Sequence, residues 1–545
     1  MRDMLETPFE AKLRLDRAVI APQIVPGPEG PGLVFRGAVI HDSQAPSAEA
    51  RRWVAAALPR GGRPGAGPEG RPAVALVFGL GLGWHLRALK ELFPETALRV
   101  FEPDRSLTDV YEKYNVLAQG QEPEIFFNFD EFEAMVGREA VHGEGGRPIA
   151  LTTPGYKRLW PHEAERFERR MAMEISRREV IDKTRALTCS SFMNNLALNA
   201  GLAARLPDVM LLRGRLPRRA AFVVGAGPSL ARNGRLLAQV GDRGVIICAS
   251  AALKPLLALG VSPHVIVTLE SSDTSAYLRL TDAEKAVLGP DALLAAASSS
   301  HPAHFEVPDL RRSLFHLNGG EAQLLGQGLF LPQGGNAGTA AFSLAYFWGL
   351  SPLVLVGQDQ AYEGTLLHAP GVMDNVVELD RGTVVTVPAV GGGETETNTS
   401  LLASVNWYVE AAKAIWRKPM PPALINATAS GAALQGFAEK SLEDVLLGLP
   451  AAPKLDLGEM LSGLPKPSVQ ELRGDIKQMS GLLSQLKRLL HSDVRRCLAE
   501  MVNVSQASAF LAQILAPALA SGRKDLILKN LIWADGLLLR MLSSL

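Results

Sequence analysis

The stretch Ala220-Ala221-Phe222-Val223-Val224-Gly225-Ala226-Gly227-Pro228-Ser229 decides the fold. An unbroken apolar run of this length, too short for a helix, reads as a strand buried on both faces, as in a parallel sheet covered by helices. The glycine turn that follows leads into Pro228, which suits a first helical turn because its missing N–H costs nothing there. Outward from this stretch, short apolar runs alternate with helical segments: VIICAS (245–250), AALKPLLALG (251–260), VIVTLESSD (265–273), ALLAAASSS (292–300), LFHLNG (314–319), TAAFSLAYFWG (339–349) and LVLVGQDQ (353–360). Such alternation predicts an α/β fold with a doubly wound, Rossmann-like parallel sheet.

An internal echo sharpens this reading. Leu259-Gly260-Val261-Ser262-Pro263 precedes VIVTLE, and Trp348-Gly349-Leu350-Ser351-Pro352 precedes LVLVGQD. In each copy a helix ends at glycine, proline starts the next turn, and an acid stands ten positions after the glycine. Glu270 and Asp359 are therefore expected at the carboxyl ends of two strands, where open α/β sheets place their ligands.

Composition divides the rest. Residues 1–180 hold an N-terminal α/β domain, 181–450 the central domain, and 451–545 a C-terminal helical bundle that is Leu/Ala/Met-rich and free of strand signals. The apolar stripes of that bundle read as core or as the seam of a homo-oligomer. Pro/Gly-rich stretches fall at Leu58–Pro72 and Pro450–Pro467. Lys plus Arg and Asp plus Glu balance at 56 each, which removes the broad electrostatic pull of a nucleic-acid or anionic-membrane binder. Cys189, Cys248 and Cys497 form no paired motif, so neither a disulfide framework nor a thiolate metal site is indicated. The charged start, MRDMLETPFEAKLRLDR, lacks an apolar signal core and points to the cytoplasm. The uncharged run Gly326–Gln358 is long enough to suggest a membrane span, but Gly349, Ser351 and Pro352 divide it into a buried helix, Thr339–Trp348, and a buried strand, Leu353–Val356.

Four clusters carry chemistry. The turn Gly225, Gly227, Pro228 and Ser229 is expected to present free amides to a nucleotide phosphate, although such glycines serve close packing equally well. Ser250, Glu270, Ser271 and Asp273 follow the next two strands. Glu270 there could be tuned as a base by burial, and Ser and Asp are also ordinary helix caps. Gly335, Asn336 and Thr339 open an apolar helix, and Gln358, Asp359 and Tyr362 end a strand, with His368 nine residues beyond Asp359. Asn426 opens a further polar turn, Asn426–Ala432, which either closes the pocket or is a ligand-free Asx/Ser turn. In the N-terminal region Gly79-Leu80-Gly81-Leu82-Gly83 and Glu102 have the layout of a dinucleotide or adenosyl-methionine site, but Trp84 and His85 crowd the turn, and a structural role is preferred.

The stretches VVGAGPSL, CASAALKPLLALGVSPHVIVTLESSD, GGNAGTAAFSLAYFWGLSPLVLVGQDQAY with HAPG, and INATASGAALQG together resemble the motility accessory factor (Maf) family. That family shares its central domain with 6-hydroxymethylpterin diphosphokinase (MptE-like) proteins. Gln360 stands where the family's GQDLAY motif carries an aliphatic residue. The resemblance implies a sialyltransferase-like central fold and transfer of a nonulosonic acid, of pseudaminic or legionaminic type, from its CMP ester to Ser/Thr of flagellin. Position at the strand carboxyl ends makes Glu270 or Asp359, with His368 as a third candidate, the group expected to take the acceptor proton in such chemistry. No cofactor or metal site is read from the residues, and a divalent metal is neither required nor excluded. Two other readings stay open: a pterin-type diphosphokinase using ATP and Mg²⁺, and a non-catalytic flagellin-binding chaperone.

Overall fold

The computed structural model describes residues 21–57, 74–114, 116–142, 149–216, 219–326, 328–372, 384–521 and 524–545. The N-terminal segment 1–17, the stretch Leu58–Pro72 and the side chain of Cys189 lie outside the described residues. The chain divides into two compact units, Met1–Lys183 and Thr184–Leu545.

The first unit holds an antiparallel sheet of β1 (Gln23–Val25), β2 (Gly32–Phe35) and β3 (Ala38–His41). Its second sheet is parallel, with β4 (Val74–Phe78), β5 (Ala97–Phe101), β6 (Glu124–Phe126) and β7 (Ile149–Thr152) in the order β6-β5-β4-β7. A core that includes Phe78, Phe101, Phe132 and Phe167 fills it.

The second unit is built on one eight-stranded sheet. Its strands are β8 (Ala220–Val224), β9 (Gly244–Ala249), β10 (Val265–Thr268), β11 (Leu293–Ala297), β12 (Arg311–Phe315), β13 (Leu353–Val356), β16 (Leu424–Asn426) and β17 (Ala438–Glu439); β14 (Val384–Pro388) and β15 (Glu394–Asn398) form a separate hairpin between them in sequence. Every pairing in the large sheet is parallel, in the order β12-β11-β10-β9-β8-β13-β16-β17. The chain winds outward one way from β8 and the other way from β13, so the topological switch point lies between them, as the doubly wound reading requires.

Strand alternation builds two cores. Phe222, Val224, Ile246, Cys248, Ile266, Val354 and Val356 face one side, and Ala221, Val223, Val245, Ile247, Val267, Leu353 and Leu355 the other. The helix Ala337–Phe347 covers the second side. It starts at Asn336, whose Oδ1 accepts from the Thr339 amide at 2.9 Å, and it is buried on nearly every side because its sequence is apolar all round. In both copies of the echo the glycine ends its helix in the left-handed region, with φ of 75° at Gly260 and 84° at Gly349.

The C-terminal helices Val469–Ser492, Val494–Ala507, Ala509–Ser521 and Lys524–Ser544 belong to this unit and share the first core, where Leu472, Leu483, Leu515 and Leu531 join Phe222 and Ile246. The Ala509 amide donates to Gln323 Oε1 at 2.9 Å and Ser544 Oγ to the Ala197 carbonyl at 2.9 Å. Among the described residues no helix is long and apolar enough to cross a membrane.

Candidate functional site

Three polar turns meet where β8, β13 and β16 end. The Gly225 amide donates to the Val356 carbonyl at 2.9 Å and the Gly227 amide to the Gly357 carbonyl at 2.8 Å. Ser229 completes the junction: its amide donates to Asp359 Oδ2 at 2.8 Å and its hydroxyl to Asp359 Oδ1 at 2.6 Å. From the third turn, the Ala432 amide donates to the Asp359 carbonyl at 2.8 Å, and Thr428 Oγ1 accepts from the Gln358 amide at 3.3 Å. A side chain at Gly227 would collide with the Asp359 carboxylate and stand 2.7 Å from the Gly357 carbonyl oxygen.

This corrects one expectation. The amides of Gly225, Gly227 and Ser229 are not free for a phosphate, because the end of β13 and the turn after it have taken them. The glycines serve close approach of two turns, and the helix that follows, Leu230–Asn233, is a single turn. Pro228 and Ser229 are buried within this junction.

Asp359 is 3% exposed. Burial pushes its carboxyl up to about 6 against the lowering pull of the two Ser229 bonds. His368 reaches the same turn: it hydrogen-bonds the Ala226 backbone, and the next residue's amide, that of Ala369, donates to the Ala226 carbonyl at 2.8 Å. Burial lowers the His368 pKa, which favours the neutral imidazole, a proton acceptor.

Glu270 sits elsewhere. It lies two residues beyond β10, a strand three positions from β13 in the sheet order, or roughly 14 Å at about 4.8 Å per strand. Its carboxyl is raised by burial. The echo thus puts both acids on the same edge of the sheet, three strands apart. Ser250, buried, ends β9 between them. The Ser271 carbonyl accepts from Asn195 Nδ2 at 2.9 Å. Asp273 is exposed and accepts from the Ser275 amide at 3.0 Å, so its role here is to hold a turn.

The helix-start cluster is likewise engaged internally. Asn336 Nδ2 donates to Ser404 Oγ at 2.7 Å, Thr339 Oγ1 donates to the Asn336 carbonyl at 2.8 Å, and the Gly335 amide donates to the Gln333 side chain. Gln358 connects this helix start to the other turns, since a side chain at Gly338 would stand 2.7 Å from Gln358 Oε1 and one at Gly225 2.8 Å from Gln358 Cδ. Gln360, with φ of 48°, donates from Nε2 to Gln358 Oε1 at 3.2 Å. The residue that departs from the family motif is therefore tied to the hub of the site. Tyr362 donates its amide to the Glu396 carbonyl at 2.8 Å and accepts from Asn398 Nδ2 at 2.7 Å. The Thr428 amide donates to Asn426 Oδ1 at 3.1 Å.

Four buried polar atoms around these turns have no hydrogen-bond partner among the described residues: Gln358 Nε2, Gln360 Oε1, Asn426 Nδ2 and Asn233 Oδ1. Each costs about 1–3 kcal/mol while unsatisfied, so a group of two donors and two acceptors is a reason to expect a polar ligand. Among the described residues no three His, Cys, Asp or Glu side chains gather as metal ligands.

Sequence reasoning missed two features. Arg232 bridges the strand-end loops: Nη1 meets Glu363 Oε1 at 2.8 Å and Nη2 meets Ser430 Oγ. Arginines are common on helix surfaces, so no local pattern marks this one. The second is a buried network at the ends of β11 and β12, where Glu321 accepts from Ser298 Oγ at 3.0 Å, Ser299 Oγ at 3.1 Å and Asn318 Nδ2 at 2.9 Å. Asn199 Nδ2 clamps the carbonyls of Ser298 at 3.0 Å and Ser300 at 2.7 Å. The serine run after ALLAAA was its only sequence signal.

In the first unit the glycine turn is filled from within. The Leu80 amide donates to Glu102 Oε2 at 2.8 Å, the Gly81 amide to the Tyr156 hydroxyl at 2.9 Å, and that hydroxyl to Glu102 Oε2 at 2.5 Å. Two amides that a dinucleotide phosphate would need are engaged, which accords with a structural role.

Residues 190–365 match the family model described as 6-hydroxymethylpterin diphosphokinase MptE-like. No curated protein matches the chain by sequence. Among solved structures the chain is similar to the MAf glycosyltransferase from Magnetospirillum magneticum AMB-1, at 15% identity and a TM-score of 0.55, over 98% of this chain and 88% of that one. The resemblance drawn from the motifs is borne out in the fold and in the MptE-like domain.

Proposed function

We propose that this chain is a cytoplasmic glycosyltransferase that moves a nonulosonic acid, of pseudaminic or legionaminic type, from its CMP ester to Ser/Thr hydroxyls of flagellin. The observation that carries the reading is the convergence of the three motif turns on Asp359 at the switch point, the place where doubly wound sheets bind nucleotides. The similarity to a MAf glycosyltransferase fold and the MptE-like match support it.

In this reading the bond between the anomeric carbon and the phosphate oxygen breaks, and the CMP phosphate leaves with the electron pair. The acceptor oxygen attacks that carbon, and its proton passes to Asp359 or to neutral His368. Both flank the Ala226–Ser229 turn, and a carboxyl near 6 is largely ionised at neutral pH. The unpartnered Gln358 Nε2 and Asn426 Nδ2 offer hydrogen bonds to the nucleotide or the sugar. Glu270, Ser250 and Ser271 lie along the sheet edge towards β10 and are assigned to acceptor or sugar contacts, while Asp273 holds its turn. Gly335, Asn336, Thr339 and Tyr362 shape the crevice wall.

The test is mass spectrometry of flagellin from cells with and without this gene, together with transfer in vitro from CMP-activated donor. Flagellin of unchanged mass and no transfer overturn the reading. The name of the matched family model favours a second reading, a pterin-type diphosphokinase. Against it, Asp273 and Asp359 are engaged by serines and Glu270 stands apart, so the acids offer Mg²⁺ no common centre. Transfer of the diphosphoryl group of ATP to a pterin alcohol, with release of AMP, would establish it instead. Binding of flagellin without modification of any substrate would favour the chaperone.

A further inference from the structure

With the amides of Gly225, Gly227 and Ser229 engaged by the protein itself, side-chain donors gain weight in holding an anion at these turns. Among the described residues Arg232 is the cation that touches the strand-end loops on both sides of it, Glu363 after β13 and Ser430 after β16, while its own segment follows β8. Its pair with Glu363 is loosely held, since the two side chains are 47% and 43% exposed, and such pairs contribute little. A guanidinium binds phosphate through two parallel N–H donors, a geometry that a single carboxylate oxygen on Nη1 does not use. The unpartnered atoms Gln358 Nε2, Asn426 Nδ2, Gln360 Oε1 and Asn233 Oδ1 lie at the ends of the same three strands and independently point to a polar ligand beside it.

We propose that Arg232 is the phosphate anchor of the switch-point crevice and that Glu363 is the internal carboxylate that the phosphate of a nucleoside monophosphate displaces. The proposal rests on the nucleotide reading of the site and adds which residue holds the anion and what competes for it. When the phosphate arrives, Arg232 turns its fork from Glu363 to the ligand, and the Ser430 hydroxyl, now an acceptor from Arg232, donates to a phosphate oxygen. Glu363 is released on its loop, the same loop that carries His368 to the Ala226 carbonyl. Occupancy of the phosphate subsite is thereby felt on the segment that holds a candidate base.

The experiment is isothermal titration of the full-length protein with CMP, cytidine, UMP, AMP and inorganic pyrophosphate. It compares wild type with Arg232→Ala, Arg232→Lys and Glu363→Gln, each checked for an unchanged melting transition. Arg232→Ala should lose about tenfold or more in CMP affinity with cytidine unaffected, as expected for a lost charge-assisted contact. Arg232→Lys should recover part of it, and Glu363→Gln should bind CMP about two- to fivefold more tightly because the competing ion is gone. Unchanged CMP affinity in Arg232→Ala, or weaker binding in Glu363→Gln, overturns the proposal. Preference for UMP or AMP with the same Arg232 dependence sinks the CMP donor but upholds the anchor. Failure of the wild type to bind any of these phosphates overturns the anchor as well.

Discussion

Asp359 reaches back to Ser229 across 130 positions of sequence, accepting the serine's amide at 2.8 Å on one oxygen and its hydroxyl at 2.6 Å on the other. This contact joins the two glycine turns into one site and sets the chemistry of the acid. Burial raises its carboxyl while the two donors restrain the rise. The result is a group that changes charge just below neutrality.

If Asp359 takes the acceptor proton, its ionised form is the active one, and kcat/KM should rise with pH through about 6. Asp359→Asn should remove that limb and lower turnover on the order of a hundredfold, with CMP affinity nearly unchanged. Glu270→Gln, on β10, should stay within severalfold of wild type. Retention of turnover and pH profile in Asp359→Asn would shift the role to His368, whose replacement by Gln is the companion measurement.

Gly227→Val is expected to fail as a binding probe, because the new side chain meets the Asp359 carboxylate and the Gly357 carbonyl rather than open space. Even Gly227→Ala should cost about 1–3 kcal/mol by overpacking. Urea denaturation measures it. A Gly227→Ala protein as stable as wild type would mean that the two turns can part without penalty.

Glu102 gives a pH prediction for the first unit. Burial raises its carboxyl to about 7, with the Tyr156 hydroxyl as the strongest opposing contact. The folded value lies above the unfolded one, so its contribution is fully present below about pH 4.5 and is lost as pH rises through about 7. Between about pH 4.5 and about pH 8, wild type should lose on the order of 3 kcal/mol relative to Glu102→Gln. Denaturation curves of both proteins across that range decide it; parallel pH dependence would show that Glu102 is not the titrating group.

A truncation ending near Pro467 would strip Leu472, Leu483, Leu515 and Leu531 from the core they share with Phe222 and Ile246. The shortened chain should be insoluble or lack a cooperative melting transition, and it should not bind nucleotide. A soluble, cooperatively melting truncation that binds CMP would show the helices to be a separable module.

The sequence by itself determined the strands at β8, β9, β10, β11 and β13, because a strand buried on both faces leaves an unbroken apolar run. It also determined the helix stops at Gly260 and Gly349, since each is local stereochemistry within a few residues. Only the tertiary structure decided which of those features meet. Glu270 and Asp359 carry the same local pattern, and strand order alone sends one to β10 and the other to the switch point. The amides of Gly225, Gly227 and Ser229 read as free because their acceptors lie far along the chain, and Arg232 went unmarked because Glu363 and Ser430 do too. The C-terminal helices showed apolar faces without showing what they cover. Hydrophobic periodicity records that a face is buried, whereas the partner is fixed by three-dimensional packing, which no local pattern encodes.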